Sequence, residues 1–441
     1  MIFQWKALCL SFLVSVLWPI SGLPETITGN PEKSGSANTI TLEQVVARVL
    51  IQSPELKVFS LEQRARESMI LQSGLFPNPR LEIEVENFAG SRKFNGFDSS
   101  ETTIRLSQLI ELGGKRAARI QASSSSRDLS KWDYETKRID VLTQTSKAYT
   151  DLLKAQKLVA LNNELVDLAK KSLQAVSERV QAGKVPPIEK TKAQVELSTA
   201  KIGLARAKNE WDTARRNLTV IWGGTEPDFQ LALGNLEEIS SVPLMETLVR
   251  KIEKNPDLAR WVTELSQRQA VVEFERSKSV PDVSLEAGYR RLESTNDNAI
   301  IFGFSVPLQF WDRNQGAIAE ARHRLAKAKA QKTAIEIQLK NNLAKSYRTL
   351  MLAHTELVLF KTQVVPGAQK AYDAMTVGYR FGKFGFLEVL DSQRTLFQAR
   401  IQYLQALANY HHSVADVERL IGEPLVTVNQ PLAKPEGERR P

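Results

Sequence analysis

Strict alternation of apolar and polar residues marks the stretch after residue 79, which reads RLEIEVENF. Three aliphatic residues fall on one side of an extended chain and three glutamates on the other: Leu81, Ile83 and Val85 against Glu82, Glu84 and Glu86. The pattern therefore predicts a strand over 80–88 with one apolar and one polar face. Similar stretches predict strands over 101–110, 282–290 and 299–308, and in the last of these Phe302 and Phe304 share the apolar face.

Most of the remaining chain has the composition and spacing of helix. The predicted helices cover 42–75, 115–182, 187–222, 244–278, 313–380 and 386–421, with breaks at Gly183–Pro187 and Gly378–Gly385. The helix 115–182 would be roughly 100 Å long at 1.5 Å per residue. Such a helix must pack lengthwise against others, and seven- and three-residue steps from Leu142 through Tyr149 and Leu152 to Val159 predict a coiled-coil seam.

The order of predicted elements occurs twice along the chain. Pro54 and Pro79 align with Pro256 and Pro281 at one constant offset, and AGKVPPIEKTKAQ aligns with FGKFGFLEVLDSQ. We interpret the chain as a duplicated unit of roughly 200 residues. The predicted division is a signal peptide 1–23, a flexible segment 24–40, a first repeat 41–222, a linker 223–242, a second repeat 243–422 and a flexible tail 423–441.

The first residues indicate export from the cytoplasm. MIFQWK carries one cation, ALCLSFLVSVLWPI is apolar, and SGLPE turns polar, which is typical of a secretory signal peptide; a membrane anchor is the alternative. Cys9 lies inside the apolar run and is the only cysteine. Removal of the signal would leave a chain without thiols, and hence without a disulfide or a lipid-bearing cysteine.

The predicted strands have the length that crosses a bilayer as tilted strands. An apolar face toward lipid and a polar face toward water is the pattern of a membrane β-barrel. Four strands cannot enclose a lumen, because about eight are needed even for a filled barrel, so several chains would have to contribute. A small soluble sheet that caps a coiled coil is the alternative interpretation of the same alternation.

With these features the sequence resembles the TolC-like outer-membrane efflux channels, over residues 40–425. The resemblance rests on NPRLEIEVEN after the first helix and on the pattern G-x-x-x-x-x-[ED]-x-x-x-[AS]-Q at both predicted hairpin tips. TTIRLSQLIELGGKRAARI is similar to the cobalt–zinc–cadmium resistance branch in particular. The chain departs from many members of that branch in lacking a mature lipidated cysteine, and it carries Pro186–Pro187 in its first tip.

The resemblance implies a mainly α fold with a β-barrel portion: a homotrimer with a twelve-stranded barrel in outer-membrane lipid and a helical coiled-coil tunnel in the periplasm. The tunnel would stay closed until a periplasmic adaptor (membrane fusion) protein and an inner-membrane pump of the resistance-nodulation-division type dock. By position, Glu388 and Asp391 match the acidic ring of the periplasmic gate. The tip residues that would meet the adaptor are Gly183, Lys184, Gly382 and Lys383.

Composition and motifs favour transport over chemistry. The segment GGK at 113–115 lacks the upstream glycine and the following serine or threonine of a phosphate loop, and no catalytic set of residues is present in the sequence. The adjacent His411 and His412 cannot chelate as a pair on a helix, and Glu320 and His323 have no second such pair, so we expect isolated surface histidines, no metal site and no cofactor. The net charge is +9, but the basic residues are interspersed with acidic ones along the chain, which argues against a nucleic-acid-binding surface.

Two interpretations of Glu388 and Asp391 remain compatible. Carboxylates in the first turns of a helix are favoured by the helix dipole, and a ring of them in a trimer would attract cations. Two function classes also remain, a passive duct for export and a coiled-coil structural protein without a pore. For a duct, heavy-metal cations compete with drugs and with secreted proteins as cargo, because the pump usually selects it.

Overall fold

The structure is a computed structural model that describes residues 39–425. The predicted signal peptide, most of the segment 24–40 and the tail beyond 425 lie outside the described residues. The strands within these residues are β1 Thr39–Thr41, β2 Arg80–Glu86, β3 Glu101–Ile110, β4 Leu231–Leu233, β5 Val283–Leu292 and β6 Asp297–Ser305. The helices are α1 Leu42–Gln52, α2 Pro54–Ser73, α3 Lys115–Gln181, α4 Pro187–Ile221, α5 Met245–Lys251, α6 Pro256–Ser277, α7 Gln315–Leu359, α8 Val365–Arg380 and α9 Phe386–Ile421.

Three predicted helices are interrupted in the structure. The predicted helix 42–75 is divided at Ser53, and 244–278 is divided by a 3₁₀ turn before Asn255, because a proline follows each break and starts the next helix. Asn255 caps α6 by accepting from the amide of Asp257 at 2.7 Å. The predicted helix 313–380 contains a π-helical turn, Phe360–Val364, between α7 and α8.

Strands β2, β3, β5 and β6 form one antiparallel sheet in that order. Its register places apolar residues in rows across all strands: Leu81, Leu106, Ala287 and Phe302 in one row, and Ile83, Ile104, Tyr289 and Ile300 in the next. This face is exposed on the single chain, where Phe302 is 81% accessible, and the outer edges of β2 and β6 have no strand partner within the described chain. The predicted loop 291–298 is a tight turn, since the strands reach Leu292 and resume at Asp297.

The opposite face of the sheet is polar and carries both signs of charge. Arg105 pairs with Glu84 at 2.6 Å, and Arg290 pairs with Glu101 at 3.3 Å. The sheet therefore has the two faces that the alternation predicts, but the glutamates of β2 share their face with arginines that neutralise part of their charge.

A second sheet, of two short parallel strands, was not predicted. It pairs β1 with β4, so residues 39–40 of the predicted flexible segment and part of the predicted linker 223–242 are regular structure. The hydroxyl of Tyr149 on α3 lies 3.0 Å from the carbonyl of Ile40 and 2.5 Å from that of Leu233. Tyr149 thus joins both strands to the main helical core, and burial raises the pKa of its hydroxyl.

The helical core only partly follows the predicted seam on α3. Tyr149 and Leu152 are buried, whereas Leu142 and Val159 are half-buried. A straight helix drifts from a seven-residue repeat, which moves neighbouring positions such as Val141 into the interior. Within the described chain, no helix combines the length and the apolar character needed to cross a membrane.

Candidate functional site: the paired helical tips

Helices α3 and α4 form one hairpin, and α8 and α9 form a second, which packs beside it. A small apolar cluster joins the two near their tips. Its buried members are Val176, Ala193, Phe386 and Leu390, with Leu173, Val180 and Tyr379 around them. The six residues predicted for the tips and the gate therefore lie together at one end of the two hairpins: Gly183, Lys184, Gly382, Lys383, Glu388 and Asp391.

The two tips have the same turn geometry. Gly183 and Gly382 adopt positive φ angles of 69° and 72°, a conformation that glycine adopts without steric cost. The amide of Lys184 donates to the carbonyl of Arg179, and that of Lys383 donates to the carbonyl of Gly378, both at 2.9 Å. These bonds close each helix with a Schellman motif, and both lysine side chains are exposed just past it.

Space around the two tip glycines is open. A Cβ atom added to Gly183 or Gly382 would meet no heavy atom of the described chain within 4 Å. The glycine–lysine pairs therefore lie at the outer limit of each hairpin, where they are accessible. Gly378 was predicted to lie in the helix break but lies inside α8, and Phe384 packs so closely on it that a Cβ would lie 2.2 Å from the ring.

Glu388 and Asp391 are exposed on the first two turns of α9. The carboxylate of Glu388 bends back toward the start of the helix, since a Cβ on Gly385 would lie 2.7 Å from its Oε2. This position agrees with the helix-dipole interpretation of Glu388. A ring of carboxylates requires further copies of the chain and stays a prediction.

Two sets of contacts between the hairpins were not predicted from sequence. The guanidinium of Arg179 on α3 stacks 4.3 Å from the ring centre of Tyr379 on α8, and its Nη1 donates to the Tyr379 carbonyl. The Tyr379 hydroxyl donates to Glu189 on α4 at 3.4 Å. Burial raises the pKa of the Tyr379 hydroxyl, and the nearby Arg179 charge opposes that rise.

The second contact is an ion pair between α9 and α4. Arg394 donates to Oε2 of Glu196 from Nη2 at 2.6 Å and from Nε at 3.2 Å. The Glu196 side chain is only 9% exposed, whereas that of Arg394 is 64% exposed. The hydrogen bond to Glu196 raises the pKa of Arg394, and the charges of Glu196 and Asp391 add to this effect. Asp391 thus lies in the field of the ion pair.

The histidines near the C-terminal end of α9 have partners, which corrects the expectation of isolated surface residues. His411 lies 2.8 Å from the carbonyl of Leu236, and His412 lies 3.3 Å from Asp151. Among residues 39–425, no group of three or more histidine, cysteine or acidic side chains is arranged to hold a metal ion.

Comparison with known proteins agrees with this architecture. The family model described as "Outer membrane efflux protein" matches residues 45–224 and 248–423. The chain is 36% identical over 387 residues to the cobalt-zinc-cadmium resistance protein CzcC of Cupriavidus metallidurans, covering 88% of this chain and 91% of that protein. It is 27% identical over 289 residues to the nickel-cobalt-cadmium resistance protein NccC of Alcaligenes xylosoxydans xylosoxydans, covering 66% of this chain and 65% of the relative.

Among solved structures, a membrane protein from Pseudomonas aeruginosa superposes with a TM-score of 0.74 at 17% identity, covering 86% of this chain and 92% of that one. This likeness shows that the fold is shared. The family model matches both halves of the chain, each a sheet hairpin joined to a long helical hairpin, and the identity to CzcC extends along nearly the whole length. The chain therefore belongs to the outer membrane efflux protein family.

Proposed function

We propose that the chain is the outer-membrane duct of a tripartite efflux system and releases heavy-metal cations delivered by an inner-membrane pump and a periplasmic adaptor. Membership of the family places it in the outer membrane, with its helical hairpins in the periplasm. The observation that carries the duct is the two-faced sheet. Its apolar face is exposed and both of its edges are open, so a closed barrel requires further copies of the chain.

Apolar residues on the helices support the same assembly. Along α4, Ile188, Val195 and Ile202 are exposed at seven-residue intervals, and on α7 Leu352 and Leu359 repeat this spacing. Seven-residue apolar repeats are the seams by which parallel-packed helices join. We infer that these seams pack against neighbouring copies in a homotrimer, which would supply twelve strands.

Detergent-extracted protein tests the assembly directly. Native mass measurement should give three copies of the mature chain. A charged residue in a seam, Val195→Glu, should reduce trimer yield, whereas the matched control Gln194→Glu, at an exposed polar position one residue away, should leave it unchanged. A monomer or dimer of the unmodified chain would contradict the duct.

The gate is proposed at Glu388 and Asp391. Three copies of each would put carboxylates around one constriction, and unit charges 4 Å apart interact by about 4 kcal/mol at an effective dielectric of 20. The pore should prefer cations and be blocked by multivalent ones. The glutamates on the polar face of the barrel are a rival source of this preference, but Arg105 and Arg290 weaken it by pairing with Glu84 and Glu101.

Single-channel recording in a planar bilayer separates the two sources. The double variant Glu388→Ala/Asp391→Ala should lose both cation preference and multivalent block. The matched control Glu82→Ala/Glu86→Ala, on the polar face of β2, should change them little. If the first variant behaves as the unmodified channel does, the two carboxylates only stabilise the start of α9.

The cargo is proposed from CzcC, which is named for cobalt, zinc and cadmium resistance. Deletion of the gene should sensitise the host to these cations and leave drug tolerance unchanged. Sensitivity to drugs alone would favour the alternative of a multidrug duct, and loss of a secreted protein would favour a secretion duct. The family is one of transport ducts, and we infer a passive conduit with no catalytic role.

A further inference from the structure

The basic segment that opens α3 has one arginine without an acidic partner in the described chain. Lys115 pairs with Asp282 at 2.6 Å, and Arg119 pairs with Glu111 at 2.5 Å. Arg116 differs, because it is exposed and its Nε donates to the carbonyl of Gly74 at 2.6 Å. Within residues 39–425 its two terminal Nη groups have no protein partner, so these donors are available to a ligand outside the chain.

An aromatic ring holds Arg116 in place. The guanidinium carbon lies 4.1 Å from the ring centre of Phe76, a residue that is itself 67% exposed. A guanidinium that is stacked on a ring and fixed through Nε keeps its outer fork oriented, which lowers the entropy cost of binding a planar or tetrahedral anion.

The second repeat has an exposed arginine at the corresponding junction between sheet and helix. Arg313 is exposed, and its Nε donates to the carbonyl of Gln309 at 3.2 Å. Its Nη groups are likewise without a partner in the described part of the chain. Phe310 and Trp311 precede it with their ring centres 6.1 Å apart, and Trp311 is 87% exposed. Phe310 is 64% exposed, so the two neighbouring rings form a continuous apolar patch, and such patches mark interaction or membrane surfaces.

Both arginines lie where the membrane sheet meets the helices. Strand β2 begins at Arg80 and β6 ends at Ser305, so Phe76 shortly precedes the sheet and the pair Phe310–Trp311 shortly follows it, both at its helix-facing end. The apolar sheet face is the part that meets lipid in an outer-membrane protein. At the boundary of the hydrocarbon region, aromatic residues and arginines lie at the depth of the lipid headgroups.

We propose that Phe76, Arg116, Phe310, Trp311 and Arg313 form a phospholipid collar, in which the two arginines bind the phosphates of anionic phospholipids in the leaflet facing the periplasm. The aromatic rings contact the upper acyl chains, and the guanidinium forks donate to phosphate oxygens. The collar goes beyond the channel function and rests only on the outer-membrane location. It would fix the depth of the barrel in the membrane.

The collar is tested with the purified full-length protein in detergent, to which phosphatidylglycerol or phosphatidylcholine is added. Retained lipid is counted by native mass spectrometry. Arg116→Gln/Arg313→Gln should weaken phosphatidylglycerol retention about 30-fold, which corresponds to about 1 kcal/mol for each arginine near an anionic surface. The matched control Arg92→Gln/Lys93→Gln removes two exposed cations from the opposite end of the sheet and should change retention little.

Other outcomes would overturn the proposal. Equal retention of phosphatidylcholine would mean an apolar belt without headgroup recognition, and displacement of the lipid by millimolar inorganic phosphate would mean a soluble-anion site. Equal loss in both variants would mean a general charge effect. Should the glutamine variant fail to fold, Arg116→Lys/Arg313→Lys retains the charge but not the fork, and unchanged retention there would refute the fork geometry. Conductance of the glutamine variant should be normal, which separates this test from the duct.

Discussion

The ion pair between Arg394 and Glu196 should respond very differently to the loss of each partner. Replacing Arg394 by alanine leaves a carboxylate that is 91% covered by protein without its cation. Leaving a buried polar group unsatisfied costs about 1–3 kcal/mol, and more for a charge. Replacing Glu196 leaves only a largely exposed arginine, for which the loss is that of a surface pair, about 0–1 kcal/mol.

A double-mutant cycle tests this difference, because the two single variants should differ in their cost. We expect Arg394→Ala to destabilise the tips by about 2 kcal/mol, by the penalty for an unpaired buried group. Glu196→Ala should cost less than half of that, and the double variant should cost no more than Glu196→Ala alone, because no charge is then left buried. Glu196→Gln combined with Arg394→Ala should restore much of the loss, since the neutral amide keeps the shape of the side chain.

Hydrogen exchange followed by mass spectrometry is the appropriate assay, because the tips can open without unfolding of the membrane sheet. The first amides of a helix have no intrahelical acceptor, so exchange of backbone amides in the second and third turns of α9 reports the local free energy of opening, and a peptide from α2 serves as an internal reference. Equal effects of Arg394→Ala and Glu196→Ala, or additive effects in the double variant, would refute the reasoning. The pair would then be a solvated contact of little consequence.

Four further variants test three other features. At the positive φ of Gly382, alanine costs about 1 kcal/mol of backbone strain and asparagine costs less. If the tip docks an adaptor, Gly382→Asn should nevertheless impair efflux more than Gly382→Ala, because its side chain is bulkier. A larger loss of efflux with alanine would indicate backbone strain alone. Gln393 is 1% exposed and its amide has no partner in the described chain, so Gln393→Leu should raise the thermal midpoint by removing a penalty of about 1 kcal/mol; a lower midpoint would reveal an unrecognised partner. Burial alone would raise the pKa of Asp151, but its hydrogen bond with His412 and nearby positive charges lower it overall. Asp151 therefore stabilises the fold at pH values above its ordinary pKa of 3.8, and this contribution is lost as the pH falls through the lower pKa of the folded state. Asp151→Asn should make the unfolding midpoint less dependent on pH in that acid range, and an unchanged pH profile would contradict the pairing.

Much of the fold is readable from local patterns in the sequence. Alternation assigns each membrane strand its two faces, because successive side chains of an extended chain point in opposite directions. Glycine at 183 and 382 predicts both tips, because only a residue that tolerates positive φ closes a helix in this way. The predicted range of β3, 101–110, matches the structure without adjustment. The tip residues Lys184 and Lys383 follow from the same repeat.

What the tertiary structure alone decided is which distant residues meet. Arg394 and Glu196 are 198 residues apart, and the charged positions around them give no signal that selects one acid over another. The three-residue strands β1 and β4 exist only because Tyr149 and the helical core hold them side by side, so they carry no pattern of their own. The partners of His411 and His412 depend on which helix face is covered. A local period determines the face of one element, whereas its partner is determined by packing between elements, which no single stretch of the sequence encodes.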